Sequence, residues 1–255
     1  MKGLTGRRVI LTGGASGIGR AAALRLGAEG CVVGIFDLNG AGAAETAQAI
    51  EAAGGSAASW ALDISDYAAV QQAHDAFEAR FGPVEGLANV AGWDAVRNFL
   101  DTDTAFWDKI VRINLYGPLT MHHVVLKGMA ARGFGRVVNV ASDAGRVGSS
   151  GEAVYSACKG GIIAFTKTMA REMARKGVTV NVLCPGPTDT PILQSFFGAG
   201  DAGAKIAEGL KSAIPLKRIG QPEDYAGMLA FLLSDEGAYM TGQTLSISGG
   251  LTMNG

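Results

Sequence analysis

Three side chains in the second half of the chain are suited to move a proton to or from a substrate oxygen. Tyr155 and Lys159 are four residues apart, a spacing that places both on one face of a helix. A phenol is a weak base at neutral pH, and a neighbouring ammonium group favours its ionised form. We predict that Tyr155 is the acid/base, that Lys159 lowers its pKa, and that Ser142, which ends an apolar run, hydrogen-bonds the substrate oxygen.

A glycine-rich turn near the start of the chain is suited to bind a dinucleotide. Gly13, Gly17 and Gly19 follow the first apolar run and open a helical pattern, and Ser16 and Ile18 belong to the same turn. Glycine allows positive φ angles and close backbone approach, while free N–H groups at a helix start attract a pyrophosphate. The spacing is GxxxGxG, which alone fits tight packing as well as dinucleotide binding. Its position after the first strand favours a dinucleotide.

Asp37 ends the second apolar run, twenty residues after Gly17, where a carboxylate can accept hydrogen bonds from ribose hydroxyls. This carboxylate would repel a 2′-phosphate, and neither Ser16 nor Leu38 supplies a cation, so we predict NAD rather than NADP, with Leu38 beside it in the site. Residues at the ends of the third and fourth runs are also predicted to contact the cofactor: Asp63, Ile64, Asn89, Ala91 and Gly92. Asp63 fits a helix cap as well.

The elements that must position these residues alternate along the chain. Apolar runs predict strands near 7–12, 31–36, 56–61, 84–90, 135–141, 178–184 and 243–248, and helical patterns lie near 17–29, 41–53, 66–81, 103–131, 152–176 and 221–234. This alternation predicts an α/β fold with one domain over residues 1–255, built on a Rossmann-like, doubly wound, seven-stranded parallel sheet flanked by helices. In such sheets ligands bind outside the carboxyl ends of the strands.

Residues 188–215 do not fit the alternation, because they show no clean strand period and contain many small residues. We predict that this segment is a mobile substrate lid. An ordinary surface connection is the alternative, although a connection of this length in a compact domain usually has a function.

The composition argues against several classes of partner. The net charge is −1, from 22 basic and 23 acidic residues, and no basic run could follow a phosphate backbone, so nucleic acid is not expected. No apolar stretch reaches the ~18 residues that span a membrane, and the N-terminus leads directly into a strand, so we expect a cytoplasmic protein. Cys31, Cys158 and Cys184 are expected to be reduced and buried, and no metal site is expected, including at His122-His123.

Several of these motifs occur together in one known family. The motifs are Thr12–Gly19, Asn89–Gly92, Asn114, Ser142, the Tyr155/Lys159 pair and Pro185-Gly186. Together they resemble the short-chain dehydrogenase/reductase family over the whole chain. That family usually has two asparagines before Ala-Gly, and here the second of them is Val90.

The resemblance implies hydride transfer between a carbinol carbon and nicotinamide C4, with Tyr155 and Lys159 also contacting the cofactor. It implies a homotetramer, and it implies that the loop after the sixth strand closes over the nicotinamide, with contacts from Pro185, Gly186, Thr188 and Thr190. Asn114 lies within a long helical pattern, where an amide has no propensity advantage. We expect it to bend that helix and to hold a water that relays protons to Lys159.

Other stretches resemble one branch of the family, which oxidises a ring hydroxyl beta to a thioester carbonyl. They are 92–94, 121–123, 146–152, 184–190 and 248–255. The hypothesis is NAD-linked oxidation of a cyclic β-hydroxyacyl-CoA, in which Arg146, Lys205 and Lys211 meet the CoA phosphates and Trp93, Val147 and Phe196 enclose the ring. Arg146 also fits a solvated loop charge, Trp93 a rim or core aromatic, and Glu152 either a substrate contact or a helix start.

Two alternatives stay open. One is a 3-oxoacyl-ACP or acetoacetyl-CoA reductase, a duty that usually draws on NADPH and is therefore disfavoured by Asp37. The other is a non-catalytic dinucleotide-binding protein, which the intact set of Asn114, Ser142, Tyr155 and Lys159 disfavours.

Overall fold

Seven parallel strands form a single sheet in the order β3-β2-β1-β4-β5-β6-β7. The computed structural model describes residues 1–197 and 201–253, with the backbone alone for Phe197 and residues 201–206. The strands are β1 (Arg8–Thr12), β2 (Val32–Asp37), β3 (Ser56–Ala61), β4 (Gly86–Asn89), β5 (Gly135–Val140), β6 (Val178–Pro185) and β7 (Thr244–Ile247). This is the predicted Rossmann-like, doubly wound sheet, and each predicted strand is present with small shifts at its ends.

The helices cover both faces of this sheet. They are α1 (Gly17–Ala28), α2 (Gly40–Ala52), α3 (Tyr67–Phe81), α4 (Thr104–Val111), α5 (Gly117–Arg132), α6 (Ala144–Val147), α7 (Ala153–Ala174), α8 (Pro191–Phe197), α9 (Asp201–Ala213) and α10 (Glu223–Leu233), with a 3₁₀ turn at Phe99–Asp101. The six predicted helical regions are confirmed, but the region predicted at 103–131 is two helices, α4 and α5, joined by a π-helical turn at Arg112–Tyr116.

Two apolar layers hold the helices to the sheet. On one face, Leu26 of α1 and Leu229 of α10 pack against the buried side chains of β1 and β2. On the other, Phe77 of α3 and Met121 of α5 pack against Val137 of β5 and its neighbours. Burial of one such side chain stabilises the fold by about 1.5–3 kcal/mol. Strands β5 and β6 are buried along their whole length, as expected for central strands that are covered on both faces.

The order of the strands reverses at β1, which pairs with β2 on one side and with β4 on the other. The connections that leave the carboxyl ends of β1 and β4 therefore run to opposite faces and leave a crevice between them. The glycine turn follows β1, and Asn89 ends β4, so both predicted motifs lie at this crevice.

The described part of residues 188–215 contains more helix than the sequence pattern predicts. Two helices, α8 and α9, occupy most of this segment, and residues 198–200 lie outside the described part of the chain. No helix was predicted here because small residues and glycines hide the helical period. Motion of this segment as a lid stays a prediction.

Among residues 1–197 and 201–253, no helix is both long and apolar enough to cross a bilayer. The same residues contain no group of three histidine, cysteine or acidic side chains that could hold a metal ion. The three cysteines are free and buried.

Candidate active site

Tyr155, Lys159 and Ser142 come together at the carboxyl end of β5. Helix α7 presents Tyr155 and Lys159 on one face, with the Lys159 ammonium nitrogen 5.4 Å from the centre of the Tyr155 ring. Lys159 is buried and donates a hydrogen bond to the Val140 carbonyl at 3.1 Å. The Ser142 hydroxyl, just beyond β5, hydrogen-bonds the Tyr155 oxygen. A substrate oxygen that reached Tyr155 would therefore also meet Ser142.

Asn114 lies in the π-helical turn between α4 and α5, which confirms the predicted distortion of this helical region. Its side chain is fully buried, donates to the carbonyls of Trp93 at 2.7 Å and Ile110 at 3.0 Å, and accepts a hydrogen bond from the Trp93 N–H at 3.3 Å. A Cβ on Gly92 would lie 3.1 Å from Asn114 Oδ1 and 3.4 Å from Lys159 Nζ. Only a glycine therefore fits comfortably between the amide and the amine.

Burial dominates the electrostatics of the pair on α7. It lowers the pKa of Lys159 to about 8, because the charged amine loses its contact with water. Burial also raises the pKa of Tyr155 above its usual value, and the Asp94 and Glu152 carboxylates raise it further, while the Ser142 hydrogen bond opposes them. The net shift of Tyr155 is opposite to the lowering predicted from Lys159, because desolvation and two acidic neighbours outweigh the amine.

The glycine turn fits a dinucleotide pyrophosphate. Gly13 has a φ of 76°, and a Cβ there would lie 2.7 Å from the Ala91 backbone, while a Cβ on Gly19 would lie 1.9 Å from the Gly13 carbonyl oxygen. Ser16, at the start of α1, makes no side-chain cap hydrogen bond. The first backbone N–H groups of α1, including those of Gly17 and Ile18, are therefore left to face an anion.

Asp37 is held at the rim beside this turn. Its carboxylate accepts hydrogen bonds from the Ala15 N–H at 2.9 Å and from the Asn39 N–H at 2.8 Å. Leu38 next to it is 76% exposed. The carboxylate is thus fixed in orientation and stays partly open to the crevice, as a ribose contact requires.

Two other rim residues differ in what their side chains do. Asp63 is exposed and accepts from the Ser65 N–H at 2.8 Å, whereas Asp66 caps α3, so the cap alternative for Asp63 is wrong. The Asn89 side chain is buried in the sheet, where it donates to Asn139 Oδ1 at 3.0 Å and meets His122. The Asn89 side chain therefore points into the interior, and Ile64 is also buried.

His122 and His123, the neighbouring histidines of α5, have different surroundings. His122 is buried against the Pro118 carbonyl at 2.7 Å and against Asn89 and Asn139, and burial lowers its pKa to about 4. It packs as a neutral side chain inside the fold. The exposed His123 ring hydrogen-bonds the Tyr67 hydroxyl at 2.9 Å.

The loop after β6 lies close to the glycine turn. The Gly186 N–H donates a hydrogen bond to the Ile247 carbonyl at 3.0 Å. This bond extends the pairing of β6 with β7 by one residue beyond Pro185. The Thr188 hydroxyl donates to the Tyr225 hydroxyl at 2.7 Å. A Cβ on Gly17 would lie 3.2 Å from the Thr190 methyl group. The predicted contact loop thus reaches over the start of α1.

Comparisons with known proteins agree with this geometry. The profile of a family described as "Enoyl-(Acyl carrier protein) reductase" matches residues 13–252. The acetoacetyl-CoA reductase of Allochromatium vinosum is 35% identical over 97% of this chain and 99% of its own. The 2-dehydro-3-deoxy-L-rhamnonate dehydrogenase (NAD(+)) of a Sphingomonas species is 38% identical over 97% of this chain and 96% of its own. Levodione reductase, a solved structure, is 34% identical with a TM-score of 0.92, over 96% of this chain and 97% of that one.

The chain belongs to the short-chain dehydrogenase/reductase family. The family uses a nicotinamide dinucleotide, and the protein is an oxidoreductase that acts on CH–OH donors. None of these three relatives is the cyclic hydroxyacyl thioester dehydrogenase that short stretches of the sequence resemble. That finer assignment therefore stays a proposal.

A narrow cleft of this short-chain dehydrogenase/reductase lies beside Tyr155, between α7 and the segment after β4. It is lined by Tyr155, Glu152, Asp94, Arg97 and Phe106, among others. The sequence does not identify Asp94 as a cleft residue, because the residues between Asp94 and Glu152 form no recognisable motif. Glu152 precedes α7 and makes no side-chain cap hydrogen bond, so its side chain does not serve to start the helix.

The residues predicted to enclose a ring or to bind the CoA phosphates differ in their exposure and in their contacts. The Trp93 ring contacts Phe106 and carries the Lys109 ammonium 3.5 Å from its centre. Val147 is 58% exposed, and Arg146 hydrogen-bonds Ser246, so Arg146 is not simply a solvated charge. Lys211 lies 3.8 Å from Glu208. Phe196 is half-buried, and the Lys205 side chain lies outside the described part.

We predict that Lys159→Met abolishes turnover yet raises the melting temperature near pH 7 by about 3 °C or more. The pKa of Lys159 is lower in the folded protein, about 8, than in the unfolded chain. Burial of the charged amine therefore costs stability below pH 8, and this cost fades as the pH rises towards the unfolded value of ~10.4. The measurement is thermal unfolding from pH 6 to 10.

The matched control is Lys167→Met on the same helix, where the lysine is exposed. This control should show no pH-dependent gain in melting temperature. A Lys159→Met protein that is less stable than the parent at pH 7 would show that the amine is better solvated than its burial indicates.

Proposed function

We propose that this short-chain dehydrogenase/reductase uses NAD to interconvert a secondary alcohol and a ketone on a β-hydroxyacyl thioester. We propose further that the acyl group is cyclic, as in 2-hydroxycyclohexanecarboxyl-CoA. The observation that supports this best is the convergence of Tyr155, Ser142 and Lys159 beside the crevice that holds the glycine turn. These groups can hold a carbonyl or hydroxyl oxygen and exchange one proton with it.

The chain's own residues carry the proton chemistry. Tyr155 gives its hydroxyl proton to the substrate oxygen in reduction and takes it back in oxidation, while Ser142 holds that oxygen by a hydrogen bond. Lys159, with a pKa near 8, can be replenished with protons close to neutral pH and sits across Gly92 from Asn114. A water held by Asn114 would extend this path.

The cofactor would be held by residues of the crevice. We assign the pyrophosphate to Gly13, Ser16, Gly17, Ile18 and Gly19, the adenosine part to Asp37, Leu38, Asp63, Ile64, Asn89, Ala91 and Gly92, and the nicotinamide part to Tyr155, Lys159, Pro185, Gly186, Thr188 and Thr190. Bound NAD would supply a hydride acceptor and, in its oxidised form, a positive charge. That charge favours ionisation of Tyr155 against the burial that opposes it.

Asp37 supports NAD over NADP. Its two carboxylate oxygens are already oriented by the Ala15 and Asn39 N–H groups, and Leu38 brings no cation to the rim. A 2′-phosphate placed here would meet a fixed negative charge. The Sphingomonas relative is named for NAD(+), in agreement with this choice.

The second candidate is a reductase of the acetoacetyl-CoA type that uses NADPH. The Allochromatium relative favours it, since that protein is named an acetoacetyl-CoA reductase and matches almost from end to end. Both candidates share the β-oxygenated thioester as substrate and the same catalytic set, and they differ in cofactor, direction and acyl group.

A homotetramer and a cytoplasmic location are parts of the same proposal. Exposed apolar side chains at the α4–α5 junction and near the C-terminus support an assembly, namely Val111, Tyr116, Tyr239 and Met253.

A panel of substrates and cofactors decides between the candidates. We expect the highest kcat/KM with NAD and 2-hydroxycyclohexanecarboxyl-CoA, lower values with 3-hydroxybutyryl-CoA, and the lowest with the free alicyclic alcohol. Steady-state rates in both directions with NAD(H) and NADP(H) are the measurement. A strong preference for NADPH with acetoacetyl-CoA would remove the first candidate and establish the second.

We predict that Tyr155→Phe lowers kcat by several orders of magnitude and leaves NADH affinity within about twofold, because the variant loses the proton donor but keeps the ring. The measurements are steady-state kinetics and NADH fluorescence titration. Tyr239→Phe, at a fully exposed tyrosine, is the matched control and should keep parental activity. Near-normal turnover of Tyr155→Phe would contradict the assigned role.

We predict that Asp37→Ala weakens NAD binding by about tenfold or more and NADP binding much less, because the variant loses ribose hydrogen bonds and a charge that repels the 2′-phosphate. Dissociation constants of both reduced cofactors are the measurement, with Glu45→Ala on the exposed face of α2 as control. An equal loss for the two cofactors would show that the carboxylate only supports the glycine turn.

A further inference from the structure

Two acidic side chains in the substrate cleft are not explained by the proton chemistry of Tyr155. Asp94 follows β4 and is only 4% exposed, and Glu152 immediately precedes α7. Both side chains line the cleft that contains Tyr155. Two carboxyl groups that face one cleft disfavour each other's ionised form when they lie close together.

The backbone holds this pair in place. The Arg97 N–H donates to the Gly151 carbonyl at 2.8 Å, which ties the segment of Asp94 to the segment of Glu152. A Cβ on Gly151 would lie 2.6 Å from the Val96 side chain, so the two segments are in close contact. The carboxyl pair is therefore a fixed part of the cleft wall.

Asp94 has an acceptor atom to spare. Its Oδ2 is buried and has no hydrogen-bond partner among the residues that the structure describes. The Arg97 guanidinium, which also lines the cleft, lies over the Phe106 ring. A buried, unpaired acceptor in a cleft calls for a donor from a ligand.

The pair also acts on the reacting group. Burial and, after it, the Glu152 carboxyl raise the pKa of Asp94 to about 8. Asp94 and Glu152 each raise the pKa of Tyr155. A ligand anion beside the pair would meet repulsion and would leave Asp94 Oδ2 without a donor, whereas a neutral donor would satisfy it.

We propose that Asp94 and Glu152 form a specificity pair that accepts a hydrogen bond from an uncharged O–H or N–H group of the substrate and rejects a carboxylate beside the carbon that reacts. This rests on the proposed function, since an alcohol or ketone must occupy the cleft. It adds to that function a requirement on the substrate: an uncharged hydrogen-bond donor must reach Asp94, and the group beside the carbinol must not be an anion, which a thioester satisfies and a free carboxylate does not.

A series of four ring alcohols tests the pair: cyclohexanol, trans-1,2-cyclohexanediol, trans-2-hydroxycyclohexanecarboxamide and trans-2-hydroxycyclohexanecarboxylate. Their dissociation constants are measured by calorimetry on the enzyme saturated with its reduced cofactor, so that no turnover is needed. We expect the diol and the amide to bind about tenfold more tightly than cyclohexanol, and the amide at least about tenfold more tightly than the isosteric carboxylate. The diol and the amide show whether an O–H or an N–H is preferred.

The double variant Asp94→Asn/Glu152→Gln removes the charge and keeps the shape. A single amide substitution would leave one negative charge in place, so both are changed. We expect the ratio of carboxylate to amide dissociation constants to fall by about tenfold in the double variant. It should stay at the parental value in Glu51→Gln, which changes an exposed acid on α2.

Equal binding of the amide and the carboxylate by the parent protein would overturn the inference, whether or not the double variant folds. So would a parental ratio in a folded double variant. Absence of turnover on every thioester together with a clear amide preference would count against the proposed function alone. Turnover without that preference would count against the specificity pair alone.

Discussion

The hydrogen bond from the buried Lys159 amine to the Val140 carbonyl is the contact around which the site is organised. It fixes α7 against the carboxyl end of β5, and this places Tyr155 beside Ser142. Glycine at position 145 permits the close approach, since a Cβ there would lie 2.6 Å from the Lys159 backbone. The buried amine loses much of its hydration, and this loss lowers the pKa of Lys159. The fold thus keeps the Lys159 ammonium group beside Tyr155, although burial of this charge destabilises the folded protein.

The same buried environment disfavours the ionised form of Tyr155. Burial and the charge of Asp94 and Glu152 oppose ionisation of Tyr155, and only the Ser142 hydrogen bond is resolved in its favour. A positive charge in the crevice would stabilise the phenolate of Tyr155 more strongly than the same charge would in water, because the dielectric constant of the buried site is low. The acidic pair therefore adds to the burial that disfavours the ionised phenol.

Sequence alone predicts the scaffold of this protein well, because β-branched runs bounded by glycine or acidic residues leave few other interpretations. It also predicts which residues converge beyond β1, β4 and β5, since parallel strands end at one edge. It misses α8 and α9, where small residues dilute the period, and it does not predict that the Asn89 side chain contacts Asn139 and His122 inside the fold. Asp94 and Glu152 lie on segments that are far apart in sequence, so their proximity in one cleft is known only from the folded structure.

Chemistry and substrate choice are held by different parts of the chain. The proton-transferring residues sit on β5 and α7, which are anchored by the buried sheet, whereas Asp94 and Glu152 sit on connections joined by one Arg97–Gly151 backbone hydrogen bond. Substitutions in those connections can alter the charge and shape of the cleft without moving Lys159 or Tyr155. A family with one catalytic geometry can in this way serve substrates as different as those for which its relatives are named.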